Sequence, residues 1–326
     1  MGLLRFLRGK APVPPGQEQR FAEGAADLHR GLLPRWVSAR LDDERANVPF
    51  GGPLSTGDSV ALREIGYEAV GQVFGTATYQ VSRMQTQLGM VLHGGYLGAP
   101  GGFNPGYWAS GARPGYGSRA INISWWQGES GCRTAALRRL SQEAEALDAD
   151  GVIGVQTVAE TYHAPHVYEC SFIGLAVRSR QRHGKPADRP FTAHFSPVEF
   201  RSLLQAGWLP KTVMLRWQRR AAHAQLANYW TTFGELSSAS DLIRSSVDLV
   251  RHQMEMAIRA EHGSGMVLQE LTPQSHGERC EWGGIDFYCD VRAAGTSIVR
   301  SRPGPISRQQ LGVLPMIRLD TRGGGR

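Results

Sequence analysis

The sequence predicts an α+β fold made of two diverged β–α–β–β repeats, each preceded by a short capped helix, behind an N-terminal helical segment. Three observations predict it. A helix followed by two strands reads from Arg133 to Arg178. A weaker copy of that pattern runs from Leu242 to Arg300. The stretch ahead of each copy also repeats, as PFGGPLSTGDSVALREIGYEAV from Pro49 and PFTAHFSPVEFRSLLQAGWLPK from Pro190. The chain accordingly divides into a tail with short helices (1–47), a first repeat (48–180) and a second repeat (190–321).

Taken in order, residues 1–16 read as a flexible tail. Gln17 to His29 and Pro34 to Arg45 read as two short helices, with Pro34 suited to a first helical turn. Trp36, Val37, Arg40 and Leu41 are placed to form a docking face. The duplicated opening follows. Ser55/Ser196, Asp58/Glu199, Leu62/Leu203, Gly66/Gly207 and Tyr67/Trp208 pair at one constant offset. Ser196, Pro197 and Glu199 spell a capping box, Ser55 and Asp58 a less perfect one, and Gly66 and Gly207 end the helices. A first strand is expected over Glu68 to Ser82, with bulges at Gly71 and Gly75. Its counterpart begins at Lys211 and runs to Trp217 and beyond.

In the main helix of the first repeat, Leu137, Leu140, Ala144 and Leu147 form one apolar stripe. Arg138, Arg139, Gln142, Glu143 and Glu145 are assigned to the other faces. Asp150-Gly151 is read as the stop, because glycine accepts the left-handed conformation that ends a helix. Val152 to Val158 and Val167 to Val177 are rich in β-branched residues and read as a hairpin, with His163-Ala164-Pro165 at its turn. Met254 and Ile258 in the second repeat match Leu140 and Ala144. Gly151/Gly265 and Gly174/Gly295 match at other offsets, so the repeats differ in loop length. Val313 to Leu319 reads as a last strand.

Residues 89–131 are rich in glycine and aromatics and lack both helical and strand period, which reads as a long surface loop or a self-associating or base-stacking segment. The chain carries a formal charge of +7. That charge admits nucleic acid as a partner, although the arginines are scattered. Four cysteines in 326 residues, with no CxxC, are not a disulfide framework. No apolar run approaches the roughly 20 residues of a membrane span. MGLLRFLRGK is too short for a signal peptide, so a cytoplasmic protein is expected, with a weak peripheral contact through Leu3, Leu4, Phe6 and Leu7 left open.

YEAVGQVFG, EAEALDADGVIGV and FIGLAV in the first copy, with IRAEHGSGMVL and RAAGTSIV in the second, resemble the YbjQ-like family of heavy-metal-binding domains. The tandem arrangement is similar to the two-domain actinobacterial members. The second copy departs from the pattern, with LRWQRR at 215–220 where a Gly-rich strand is expected and Glu261 where the first has Leu147. The resemblance implies dodecin-like subunits that pack side by side into rings, and hence self-association.

No catalytic motif is present. Gly57-Asp58-Ser59-Val60 lacks the full GxSxG pattern, Asp58 is accounted for as a cap, and Ser59 aligns with Phe200. His93-Gly94-Gly95 has no GxSxG to accompany it, and no phosphate-binding glycine loop occurs. The soft ligands are His163, His166 and Cys170 in the first hairpin and His276, Cys280 and Cys289 in the second. Imidazole with thiolate suits zinc or copper. Neither copy holds four ligands at a standard spacing, so a site requires both repeats or a second subunit. The expected function is therefore a non-enzymatic oligomeric scaffold or ligand-binding protein, with zinc or copper binding as the alternative and nucleic-acid binding as a third reading.

Overall fold

A computed structural model describes residues 17–46, 54–80, 121–122, 126–164, 167–181, 189–224, 237–279, 285–301 and 316–318. These form a mixed α+β arrangement of six helices and two sheets. The loop at 89–131 lies mostly outside the described residues, as do the N-terminal ten residues and His93-Gly94-Gly95.

Helices α1 (Gln17–His29) and α2 (Arg35–Ala46) stand where the sequence places them. Val37 and Leu41 of α2 are buried in the core of the first repeat, while Trp36 is 62% exposed. The first repeat then runs α3 (Thr56–Glu64), β1 (Tyr67–Gln80), β2 (Ile121–Asn122), α4 (Trp126–Ala146), β3 (Gly151–Ala164) and β4 (Val167–Ser179). The second runs β5 (Phe191–Thr192), α5 (Pro197–Gln205), β6 (Trp208–Ala224), α6 (Ser237–Ala260), β7 (Gly265–Arg279) and β8 (Ile285–Arg300), and β9 (Met316–Arg318) follows. The sheet orders are β1-β4-β3-β5 and β2-β6-β8-β7-β9. In both repeats the last long strand lies in the middle, antiparallel to its two neighbours. Two of the three short strands cross over. β2 precedes α4 in the chain yet pairs with β6, and β5 pairs with β3.

The same local geometry recurs in the segments that build the two sheets. Ser55 and Ser196 each close a full capping box, with Asp58 and Glu199. Gly66 and Gly207 both take a left-handed φ, +74° and +77°. Both first strands slip register at equivalent places, between Ala69 and Gly71 and between Pro210 and Thr212. Gly174 and Gly295 hold equivalent places on the two middle strands. A Cβ would meet Val152 Cγ1 at 2.4 Å in the first case and the Val267 carbonyl at 2.7 Å in the second.

Three local expectations are corrected. The left-handed residues after α4 and α6 are Asp148 and His262, not Gly151. The next N–H, of Ala149 or Gly263, reaches back to Ala144 or Ile258, as in a Schellman ending. Gly151 is small for another reason, since a Cβ there would meet the Phe191 ring at 2.4 Å. Gly75 is no bulge but a clearance, because its Cβ would meet the Ala136 carbonyl of α4 at 2.1 Å. Glu143 is not on a solvent face. It is 4% exposed, and its carboxylate accepts the Phe74 N–H at 2.8 Å and bonds to Arg40.

Three apolar clusters hold the described residues together. Leu140, Ala144 and Leu147 of α4 pack on Val73, Tyr168, Cys170 and Phe172 of the first sheet. Met254 and Ile258 of α6 pack on Met214, Met266 and Val291 of the second. Leu62, Phe200 and Leu203 of α3 and α5 fill a third cluster with Ile153, Val177, Val267 and Ile298, so both sheets meet there. Arg201 of α5 joins Glu64 of α3 at 2.6 Å across the α3–α5 pair.

Candidate functional site

The predicted ligands do not converge among the described residues. His166 and Cys280 lie outside them, and of His163 only the backbone, at a register slip near the end of β3, is described. Cys170 is fully buried on the helix-facing side of β4, and burial pushes its thiol up to about 12. Cys289 is buried against α6. It pairs across the hairpin with Ser275, whereas His276 pairs with Tyr288 and so stands on the opposite face. The His276 ring stacks on Tyr288, centroids 5.0 Å apart. No group of three or more His, Cys, Asp or Glu side chains able to hold a metal ion occurs among the described residues. Ser59, the residue of the partial lipase-type motif, donates its hydroxyl to the Ser55 carbonyl at 3.2 Å.

Polar chemistry concentrates instead where the repeats meet. β6 alternates, so Val213, Leu215 and Trp217 turn toward the first repeat while Met214 turns toward α6. Arg133, near the start of α4, reaches this seam. Its guanidinium donates to Glu160 of β3, 2.7 Å from Nε, and lies 4.6 Å from the centre of the Trp217 ring. Arg292 of β8 lies 4.4 Å from the same ring centre and 3.9 Å from Glu160. The Tyr168 hydroxyl donates to Glu160. Arg219 and Asp290 close a two-point ion pair on adjoining strands at 2.5 and 2.7 Å. One seam thus joins α4, β3, β4, β6 and β8.

The titration of these groups follows from their surroundings. Burial raises Glu160, but the Arg133 charge and the bonds from Tyr168 and Arg133 outweigh it and hold the carboxyl below its ordinary value. Burial raises Glu129 to about 7, against the opposing pull of Arg133. Burial alone lowers His194 to about 4, leaving a neutral ring whose Nδ1 lies 3.3 Å from the Thr296 hydroxyl.

Two cavities flank the seam and share Arg133, Leu215, Arg216 and Trp217 as walls. One, of about 620 Å³, lies between the β3 edge and the second sheet and is lined by Glu160 and His194. The other, of about 1020 Å³, lies between α4, β6 and α6. Glu129, the carboxyl with a titration near neutrality, lines neither of them. Sequence reasoning missed this seam. Its trace was LRWQRR, where the second copy departs from the expected glycine-rich strand and which holds Arg216, Trp217 and Arg219.

Comparison with known proteins gives one informative likeness. The chain is 22% identical over 299 residues to an encapsulin nanocompartment protein of Mycobacterium tuberculosis, covering 86% of this chain and 96% of the relative. No family model matches the chain. No solved structure gives a significant match.

Proposed function

We propose that this protein is a non-enzymatic, self-associating scaffold component of a cytoplasmic protein nanocompartment. The observation that carries the reading is the end-to-end likeness to the mycobacterial encapsulin nanocompartment protein, which spans nearly the whole of that relative. A likeness confined to one repeat would speak only for a shared module. We further read the two repeats as diverged, dodecin-like units of YbjQ type, supported by their common α–β–α–β–β order and their matching caps, register slips and glycines. No helix among the described residues is long and apolar enough to cross a membrane.

The free edges point to assembly through faces rather than strand addition. β1 is the outer strand of the first sheet. Its outward groups are taken by side chains: Arg40 donates to the Gln72 carbonyl, Glu143 accepts from Phe74 and Arg139 donates to the Thr76 carbonyl. Among the described residues β9 covers only Gly265 to Val267 of β7, and the rest of that strand carries Pro273, Glu270, Glu278 and Arg279. Proline and charge are the devices that keep an edge from pairing. Metal binding has less support, because Cys289 and His276 stand on opposite faces of one hairpin.

Light scattering and electron microscopy of the purified protein test the proposal. Discrete particles many times the mass of the 35.7 kDa chain are expected. A mass near that of one chain across a wide concentration range overturns it.

A further inference from the structure

The arginines of the seam are matched to acids among the described residues, and Arg216 beside it is not. Arg133 has Glu160, Arg219 has Asp290 and Arg292 has Glu160. Arg216, between Leu215 and Trp217, takes the other face of β6, the side that Met214 turns toward α6, and lines both cavities. It has no carboxylate within ion-pair distance among the described residues, and its guanidinium donates only to the adjacent Leu215 carbonyl, at 2.9 Å. Burial disfavours its charge, and nothing nearby offsets this. A half-buried cation without a counter-charge is costly to fold around, because desolvation is not repaid by a partner. The larger cavity adds Arg138 and Arg189 to its walls, both exposed and neither ion-paired among the described residues. Two acids, Glu145 and Glu261, line the same cleft, but neither reaches ion-pair distance of a guanidinium there.

We propose that the cleft between α4 and β6 binds a small organic oxyanion, with the phosphate or carboxylate group held by Arg216 and screened at the mouth by Arg138 and Arg189. A planar guanidinium presents paired donors that fit either group. The remaining lining suits a compact polar body on a carbon frame, with Thr134 and Gln253 for hydroxyls and Leu137 and Met214 for the frame. A volume of about 1020 Å³ is at the upper end of what metabolite-sized ligands occupy. Both repeats build the walls, so neither repeat alone contains this site. The proposal does not rest on assembly into a nanocompartment.

Thermal unfolding of the full chain with inorganic phosphate, with acetate and with sodium chloride at matched ionic strength tests it. Phosphate or acetate is expected to raise the melting temperature saturably, beyond the effect of chloride. A shift with phosphate alone assigns a phosphate ligand, and an equal shift with acetate assigns a carboxylate. Arg216→Gln is expected to remain folded and to weaken the effect at least tenfold, while Arg201→Gln, on the distant α5–α3 pair, retains it. If Arg216→Gln does not fold, the exposed pair Arg138→Gln/Arg189→Gln takes its place, with a several-fold weakening expected. Equal shifts from all three salts, or an unchanged response in the cleft variants, overturn the proposal.

Discussion

The carboxylate of Glu143 accepts the backbone N–H of Phe74 at 2.8 Å, and so a helix side chain completes the hydrogen bonding of an edge strand. The same carboxylate holds Arg40, which donates to the Gln72 carbonyl. Helices α2 and α4 thus seal the outer side of β1, which has no partner strand among the described residues. Glu143→Ala strips the edge and breaks the ion pair with Arg40. A hydrogen bond to a charged group contributes about 1.5–3 kcal/mol, so a loss of about 2 kcal/mol is expected in denaturant unfolding. Glu143→Gln, which still accepts from Phe74, is expected to lose less.

Leu140 and Met254 occupy equivalent places on α4 and α6 and are both buried, at 0% and 1% exposure. Leu140→Ala or Met254→Ala is expected to cost about 2–5 kcal/mol by chemical denaturation. An unchanged melting temperature in either variant shows that the helix face is wrongly assigned.

Gly75→Ala is expected to be among the most damaging single changes. Its Cβ would stand 2.1 Å from the Ala136 carbonyl and 2.7 Å from the Leu140 backbone nitrogen, so α4 must lift off the sheet. Gly154→Ala makes the contrast. Its φ is +61° with nothing within 4 Å, so only the left-handed backbone resists, at about 1–2 kcal/mol. Circular dichroism melts of the two variants separate clearance from conformation.

Glu129 sets a pH dependence. Its carboxyl titrates near 7 in the folded chain against an ordinary 4.5. Above pH 4.5 the unfolded chain ionises while the folded chain stays protonated, so stability falls as pH rises from about 4.5 to about 7 and is level beyond. Glu129→Gln is expected to remove that fall, on the order of 2–3 kcal/mol, in denaturation at pH 5 and pH 8. Glu160 acts in the opposite sense. Its depressed titration adds stability that is lost only as pH drops through the acid range.

Metal content separates the scaffold from the zinc or copper alternative. Protein purified without chelator is expected to carry well under one equivalent by elemental analysis. One tightly held metal per chain, lost in Cys170→Ala, restores the metal reading.

The sequence by itself determined the secondary elements, because caps, stripes and β-branched runs are local signals. Ser196-Pro197 and Glu199 announce α5 from within four residues, and the spacing of Leu140, Ala144 and Leu147 names the buried stripe of α4 from one turn to the next. Tertiary structure decided whatever depends on residues far apart in the chain. Glu143 looks like a solvent-face residue until the open edge of β1 lies beside it. Gly151 looks like a helix stop until Phe191 stands over it. Cys289 and His276 look like a ligand pair until the register puts them on opposite faces. The seam of Arg133, Glu160 and Trp217 draws its members from both repeats, and no local pattern encodes a contact between elements that meet only when two sheets are packed together.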